Sequence, residues 1–183
     1  MKTLFNDRAE AGRYLASKLK RFNSADTVVY ALPRGGVSVG AEIAESLGVP
    51  MDVTFAGKIC APWETTAGAS RSDANTPRRR SAKLPSRPIL PAGRVAIVVD
   101  DGLAPGVKVQ TVVKALRWHG AKAVVVAQPV VSRSTIKDFE GLVDEVICVD
   151  LADNGQNIGS SYAHLPSFDD GEVEDVVFRL TSH

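Results

Sequence analysis

Cysteine is scarce in this sequence: two in 183 residues, Cys60 and Cys148, far apart and without CxxC or Cys/His ligand spacing. That points to reduced thiols rather than a disulfide framework or a zinc site. An excess of either charge is lacking too. With 22 Lys and Arg against 21 Asp and Glu, the formal net charge is +1, which confines any basic partner site to a local patch. No apolar stretch approaches the roughly 20 residues needed to span a bilayer. The N-terminal MKTLFNDRAEAGR has no long apolar centre of a secretory signal, so a cytoplasmic protein without a membrane partner is expected. Also absent are a Ser/His/Asp order, a metal-ligand cluster and an internal repeat. What is present is 44% hydrophobic content, enough for one substantial core and a single domain over 1–183.

The chain is organised around Arg94 to His119, RVAIVVDDGLAPGVKVQTVVKALRWH. An apolar run from Val95 to Val99 ends in Asp100 and Asp101, passes a Gly/Pro loop and continues at helical period. Such a strand, loop, helix unit places anion-binding backbone at the C-terminal edge of a parallel sheet. Gly102 and Gly106 can take positive φ, and the helix from about Val107 aims free N–H groups at the same point. A phosphate fits there, with Asp100 and Asp101 as acceptors for sugar hydroxyls or as neighbours of a hydrated Mg²⁺. An isolated DDG can equally be a plain strand-to-helix turn, and the residues alone leave both readings open.

A second unit precedes it. Asn6 or Asp7 can cap a helix to about Arg21 with Ala11, Tyr14, Leu15 and Leu19 on its apolar face. A strand at Thr27 to Leu32 then ends in Pro33, Arg34, Gly35 and Gly36, and Val37 to Leu47 has helical spacing up to Gly48. Two Gly-loop units can aim two anion sites at one cleft. A third strand is expected at Met51 to Ala56, followed by Lys58. Residues from about 60 to 93 lose apolar periodicity and read as a mobile basic loop containing Arg78, Arg79, Arg80, Lys83 and Arg87. Further strands are expected at Ala123 to Val130, closed by Pro129, and at Glu145 to Val149, with a helix start near Ser132. A polar loop with Tyr162 and His164 leads to a terminal helix capped at Ser167 and ending near Leu180. Alternating strands and helices with long crossovers make the fold α/β with a mostly parallel, twisted sheet flanked by helices. Tyr162 reads as a loop anchor in preference to a stacking platform, His119 as a helix-end residue, and Trp63 as an aromatic over an apolar edge.

The segments VAIVVDDGLAPGVK and YALPRGGVSVGAEIA resemble the 5-phosphoribosyl 1-pyrophosphate (PRPP) signature and the pyrophosphate loop of type I phosphoribosyltransferases. The likeness extends over nearly the whole chain in FNDRAEAGRYLA, ALPRGGVSVG, KICAPW, DDGLAPG and IGSSYAHLPSF, which are similar to a bacterial subgroup of the family. The resemblance implies the type I phosphoribosyltransferase fold, with a small C-terminal hood over about 152–183 for the acceptor base. It implies PRPP with Mg²⁺ as the cofactor ion and phosphoribosyl transfer to a nitrogenous acceptor, releasing pyrophosphate. By the same resemblance, Arg34, Gly35, Gly36 and Lys58 serve the pyrophosphate, Asp100 and Asp101 the ribose, and Gly102, Leu103, Ala104, Pro105, Gly106, Val107 and Lys108 the 5′-phosphate. No metal ligand is expected directly from the protein, beyond Asp100 or Asp101 near the ion. The chain departs from the pattern at Pro105 and Lys108, where Thr or Ser is usual, and is shorter between Ala69 and Arg94. Those departures keep a second expectation open, a non-catalytic protein on the same fold that binds PRPP or a ribose 5-phosphate nucleotide. A homodimer is compatible with either, and no nucleic-acid partner is expected.

Overall fold

The computed structural model describes residues 3–53, 89–103, 106–153 and 157–166. Five parallel strands form one sheet in the order β2-β1-β3-β4-β5. They are β1 (Thr27–Ala31), β2 (Met51–Val53), β3 (Val95–Val99), β4 (Ala123–Ser132) and β5 (Glu145–Ala152), interleaved with α1 (Arg8–Lys18), α2 (Gly35–Leu47), α3 (Gly106–Trp118) and α4 (Arg133–Phe139). The β-branched runs TVVYA and VAIVV are buried on both faces, which is what a central parallel sheet requires of its strands.

Alternate strand residues feed two separate cores. Val29, Ala31, Ile97, Val99 and Ala127 pack with Leu15 and Leu19 near α1 and with Val39, Ile43 and Leu47 of α2. Val28, Tyr30, Val98 and Val126 pack with Val109, Val113 and Leu116 of α3 and Phe139 of α4. Helices therefore lie on both faces, and β1 and β3, side by side in the sheet, send their following helices to opposite faces. The crevice beyond their C-terminal ends is the topological switch point, where open α/β sheets bind ligands.

Several expected boundaries move. Asp7 is the N-cap of α1, its side chain accepting the Glu10 N–H at 2.8 Å, but the helix ends at Lys18 and a 3-10 turn covers Lys20–Phe22. Tyr14 is 53% exposed instead of joining the core, and its ring stands 6.1 Å from that of Phe5. The helix α2 begins at Gly35, so the two glycines form its first turn and not a loop before it. Its end at Gly48 is as expected, with φ +62° and a backbone N–H shared between two carbonyls. β4 runs through Pro129 to Ser132. Pairing with β3 has ended at Ala127 and the β5 register passes from Gln128 to Val130, so Pro129 falls where neither ladder uses its missing N–H.

The gap between β2 and β3 is tied at its root. Asp52 accepts the Ile89 N–H at 2.7 Å and the Tyr30 hydroxyl donates to the Ile89 carbonyl at 2.8 Å. Burial, reinforced by the Asp52 charge, pushes the Tyr30 phenol well above its ordinary pKa, so it stays a donor. The expected strand residues 54–56, Lys58, Trp63, residues 60–88 of the expected basic loop and the terminal helix lie outside the described residues, while 89–93 run up to β3 with Ala92 bridged to Ala121. No helix among the described residues is long and apolar enough to cross a membrane.

Candidate active site

Strand β3 delivers Asp100 and Asp101 to the switch point, where they are 3% and 5% exposed. Two adjacent acids buried at a strand end need donors, because an unsatisfied carboxylate in low dielectric is strongly disfavoured. The loop supplies some of them: the Gly102 N–H donates to Asp100 Oδ2 and the Leu103 N–H to Asp101 Oδ1, both at 3.0 Å. Gly102 can close this turn because it takes φ +87°, and a Cβ there would lie 2.5 Å from the Val130 carbonyl oxygen.

Side chains from distant elements complete the shell. Gln128 of β4, itself buried, donates from Nε2 to Asp100 Oδ2 at 3.2 Å. Arg8, at the start of α1, donates from Nε to Asp101 Oδ2 at 2.9 Å, forming an ion pair shielded from water. The Tyr162 hydroxyl donates to the Asp101 backbone carbonyl at 2.8 Å. Burial, with the Asp101 charge next, pushes the Tyr162 phenol far up, so it too remains a neutral donor. Tyr162 is therefore an anchor, with its ring 5.5 Å from Phe5.

The first turn of α2 packs directly onto this shell. A Cβ on Gly35 would fall 1.8 Å from Asp101 Oδ2, and one on Gly36 would fall 2.7 Å from the Val99 carbonyl oxygen. Only glycine lets the α2 N-terminus come this close to the acids. Arg34, the residue before, takes φ +71° and ψ −113°, the one positive-φ non-glycine among the described residues. Such a conformation costs about 1–3 kcal/mol and survives where the surroundings dictate it. Here it turns the chain from β1 into the helix while leaving the residue exposed.

The hood is built from both ends of the described chain. The Leu4 and Phe5 N–H groups donate to the Ser161 carbonyl, and the Ala163 and His164 N–H groups donate back to Phe5 and Asn6. Residues 4–6 are thus as much a part of the hood as residues 157–166, whereas the family resemblance assigned it to the C-terminal part alone.

The structure thus brings Gly35, Gly36, Asp100, Asp101 and Gly102 into contact and sets Arg34 beside them. Leu103 is exposed at the rim, and Gly106, Val107 and Lys108 form the first turn of α3, with Val107 and Lys108 exposed. Ala104, Pro105 and Lys58 lie outside the described residues. Asp100 and Asp101 are not outside the core, as a strand-end position suggests; they are buried and bonded on several sides. Sequence reasoning missed Arg8 and Gln128. Arg8 stands in the FNDR motif already noted, and Gln128 is the single polar residue in the run AVVVAQPVV.

The sequence model for the phosphoribosyl transferase domain matches residues 3–164. A Mycobacterium tuberculosis protein, provisionally named a phosphoribosyl transferase in strains CDC 1551 and H37Rv, is 32% identical over 211 aligned positions. These cover 98% of this chain and 47% of that protein, so the chain spans about half the length of the curated relatives it matches. With 211 positions against 183 residues, the relative carries insertions within the matched region. Among solved structures, TT1426 from Thermus thermophilus superposes with a TM-score of 0.77 at 25% identity, over 97% of this chain and 99% of that one. A hypoxanthine-guanine-xanthine phosphoribosyltransferase shares the fold at a TM-score of 0.54 and 16% identity, over 93% of this chain and 95% of that one.

Proposed function

This chain belongs to the phosphoribosyl transferase domain family, and from that premise we propose that it binds PRPP and transfers the phosphoribosyl group to a nitrogenous acceptor. The observation that carries this reading is the contact between the first turn of α2 and the Asp101 carboxylate at the end of β3, which would set an anion-binding helix N-terminus and a diol acceptor in one crevice, with α3 following β3 from Gly106. PRPP has that sequence of groups, a pyrophosphate, a ribose diol and a 5′-phosphate.

In the proposed reaction the bond from C1 of the ribose to the pyrophosphate oxygen breaks, and the acceptor nitrogen supplies the electron pair for the new bond to C1. The sugar passes through a cationic, oxocarbenium-like state, so the site has to position the leaving group and offset its charge. Arg34 with the Gly35 and Gly36 N–H groups, and Lys58, would hold the pyrophosphate. Asp100 and Asp101 would orient the ribose hydroxyls, and residues Gly102 to Lys108 would cradle the 5′-phosphate at the α3 N-terminus. The two adjacent carboxylates of Asp100 and Asp101 fit a Mg²⁺ held mainly by water and phosphate oxygens beside one of them, where it would offset pyrophosphate charge.

The test is to incubate the protein with PRPP, Mg²⁺ and a panel of purine and pyrimidine bases while following pyrophosphate release. Release that depends on one acceptor class is expected. Tight PRPP binding with no release for any acceptor would replace the transferase with the binding protein that Pro105 and Lys108 favour, since proline offers a phosphate neither a hydroxyl nor an N–H.

A further inference from the structure

Arg8 joins three parts of the molecule: the start of α1, the Asp101 carboxylate at the end of β3, and the hood. Its Nε donates to Asp101 Oδ2 at 2.9 Å, and its Nη1 donates to the Pro166 carbonyl at 2.8 Å, in the hood. The side chain is only 12% exposed, and the absent Cβ of Gly35 leaves room for it: an added one would lie 2.8 Å from Nε. The base of α1 is itself fixed, because Gly12 presses against α2 so closely that a Cβ there would come within 2.8 Å of the Val39 carbonyl oxygen. A planar guanidinium donates in fixed directions, so a carboxylate and a carbonyl bound to the same one are set at a defined relative position.

We infer that Arg8 is a positioning residue for ribose recognition, aligning the Asp101 carboxylate against the Leu103 N–H and tying that alignment to the hood at Pro166. The inference rests on the proposed role of Asp101 toward ribose. In this arrangement each Asp101 oxygen carries one fixed donor, Leu103 N–H on Oδ1 and Arg8 on Oδ2, and keeps acceptor capacity for a sugar hydroxyl in a set direction. Arg8 need not touch the ligand. Its effect passes through Asp101, and this separates it from a direct anion ligand, which would act on any phosphate, and from a strut, which would act on stability alone.

The experiment is titration of ribose 5-phosphate and, separately, inorganic pyrophosphate onto wild type, Arg8→Ala, Arg8→Lys, Asp101→Asn and the Arg8→Ala/Asp101→Asn pair, with melting temperatures alongside. Loss of one charge-assisted alignment should weaken ribose 5-phosphate about tenfold in Arg8→Ala and leave pyrophosphate within about twofold. Lysine, which restores the charge but not the two fixed directions, should recover part of the loss. In the Asp101→Asn background the further change should be under about twofold, because the two residues act through one path. A lowered melting temperature with wild-type ribose 5-phosphate affinity would overturn the inference, as would equal weakening of both ligands. Should Arg8→Ala not fold, Arg8→Gln and Arg8→Lys carry the same comparison. Failure of the wild type to bind ribose 5-phosphate would instead remove the ribose reading itself, before any variant is compared.

Discussion

Gly35→Ala is expected to abolish measurable ribose 5-phosphate binding and to destabilise the fold. The added methyl would sit 1.8 Å from Asp101 Oδ2, 2.5 Å from its Cγ and 2.8 Å from Arg8 Nε. An exposed carboxylate could swing aside, but this one is held by Leu103 on one oxygen and Arg8 on the other. The clash is therefore relieved only by breaking the ion pair or by withdrawing the α2 N-terminus from the crevice. Either removes the convergence on which binding of PRPP is proposed to depend. Overpacking of this kind costs about 1–3 kcal/mol, and with the disturbed ion pair a total of about 3 kcal/mol is expected in denaturant titration. Gly48→Ala is the matched control. That position also has a positive φ, +62°, but nothing stands within 4 Å of its absent Cβ. It should lose about 1 kcal/mol from backbone strain and bind ribose 5-phosphate as wild type. Equal binding by the two variants would show that the close packing of the loops is irrelevant to the ligand.

The second large effect belongs to the acids. Asp101→Ala would remove the carboxylate that pairs with the shielded Arg8 guanidinium, leaving its Nε and the Leu103 N–H without an acceptor, at an expected cost of about 2–4 kcal/mol. Asp100→Ala would strand the Gly102 N–H and the Gln128 amide, at about 1–3 kcal/mol. Both variants should lose ribose 5-phosphate binding. Asn at either position keeps an acceptor oxygen for the loop N–H, so Asp100→Asn and Asp101→Asn should retain more stability than the alanines while still weakening the ligand. An Asp101→Ala protein as stable as wild type would contradict the buried ion pair. Wild-type ligand affinity in both asparagine variants would contradict the ribose assignment.

The architecture was legible from period and punctuation. Unbroken β-branched runs that end in Gly loops and are followed by helical spacing can hardly be anything but parallel strands with crossover helices, and the sheet is parallel throughout its described pairs. Boundaries were less legible where tertiary context overrides local preference. Pro129 reads as a strand end because it lacks an N–H, and only the pairing pattern reveals that β3 no longer needs one there. Tyr14 falls on the apolar stripe of α1 by spacing, yet the core on that side is already filled by Ala11, Leu15 and Leu19.

The site was half legible for a related reason. Gly35, Gly36, Asp100, Asp101 and Gly102 carry their chemistry in contiguous motifs, whereas the residues that hold them arrive from elsewhere. Arg8 meets Asp101 across 93 positions and Tyr162 meets it across 61, separations at which no local pattern operates. Burial of the acids is invisible for the same reason: a strand end is exposed or covered according to what the hood and α1 do above it. The family resemblance placed the hood in the C-terminal part, and backbone pairing with residues 4–6 leaves no side-chain signature to read.

Convergence of two loops on one ligand, with an anion at each end and a diol between, is reached most directly by calorimetry. Wild-type protein would be titrated with PRPP, ribose 5-phosphate and pyrophosphate, each with Mg²⁺. One PRPP per chain is predicted, bound more tightly than either fragment, with prior saturation by ribose 5-phosphate or by pyrophosphate weakening it competitively. Absence of binding by all three, or PRPP affinity no greater than that of pyrophosphate and indifferent to saturating ribose 5-phosphate, would contradict it.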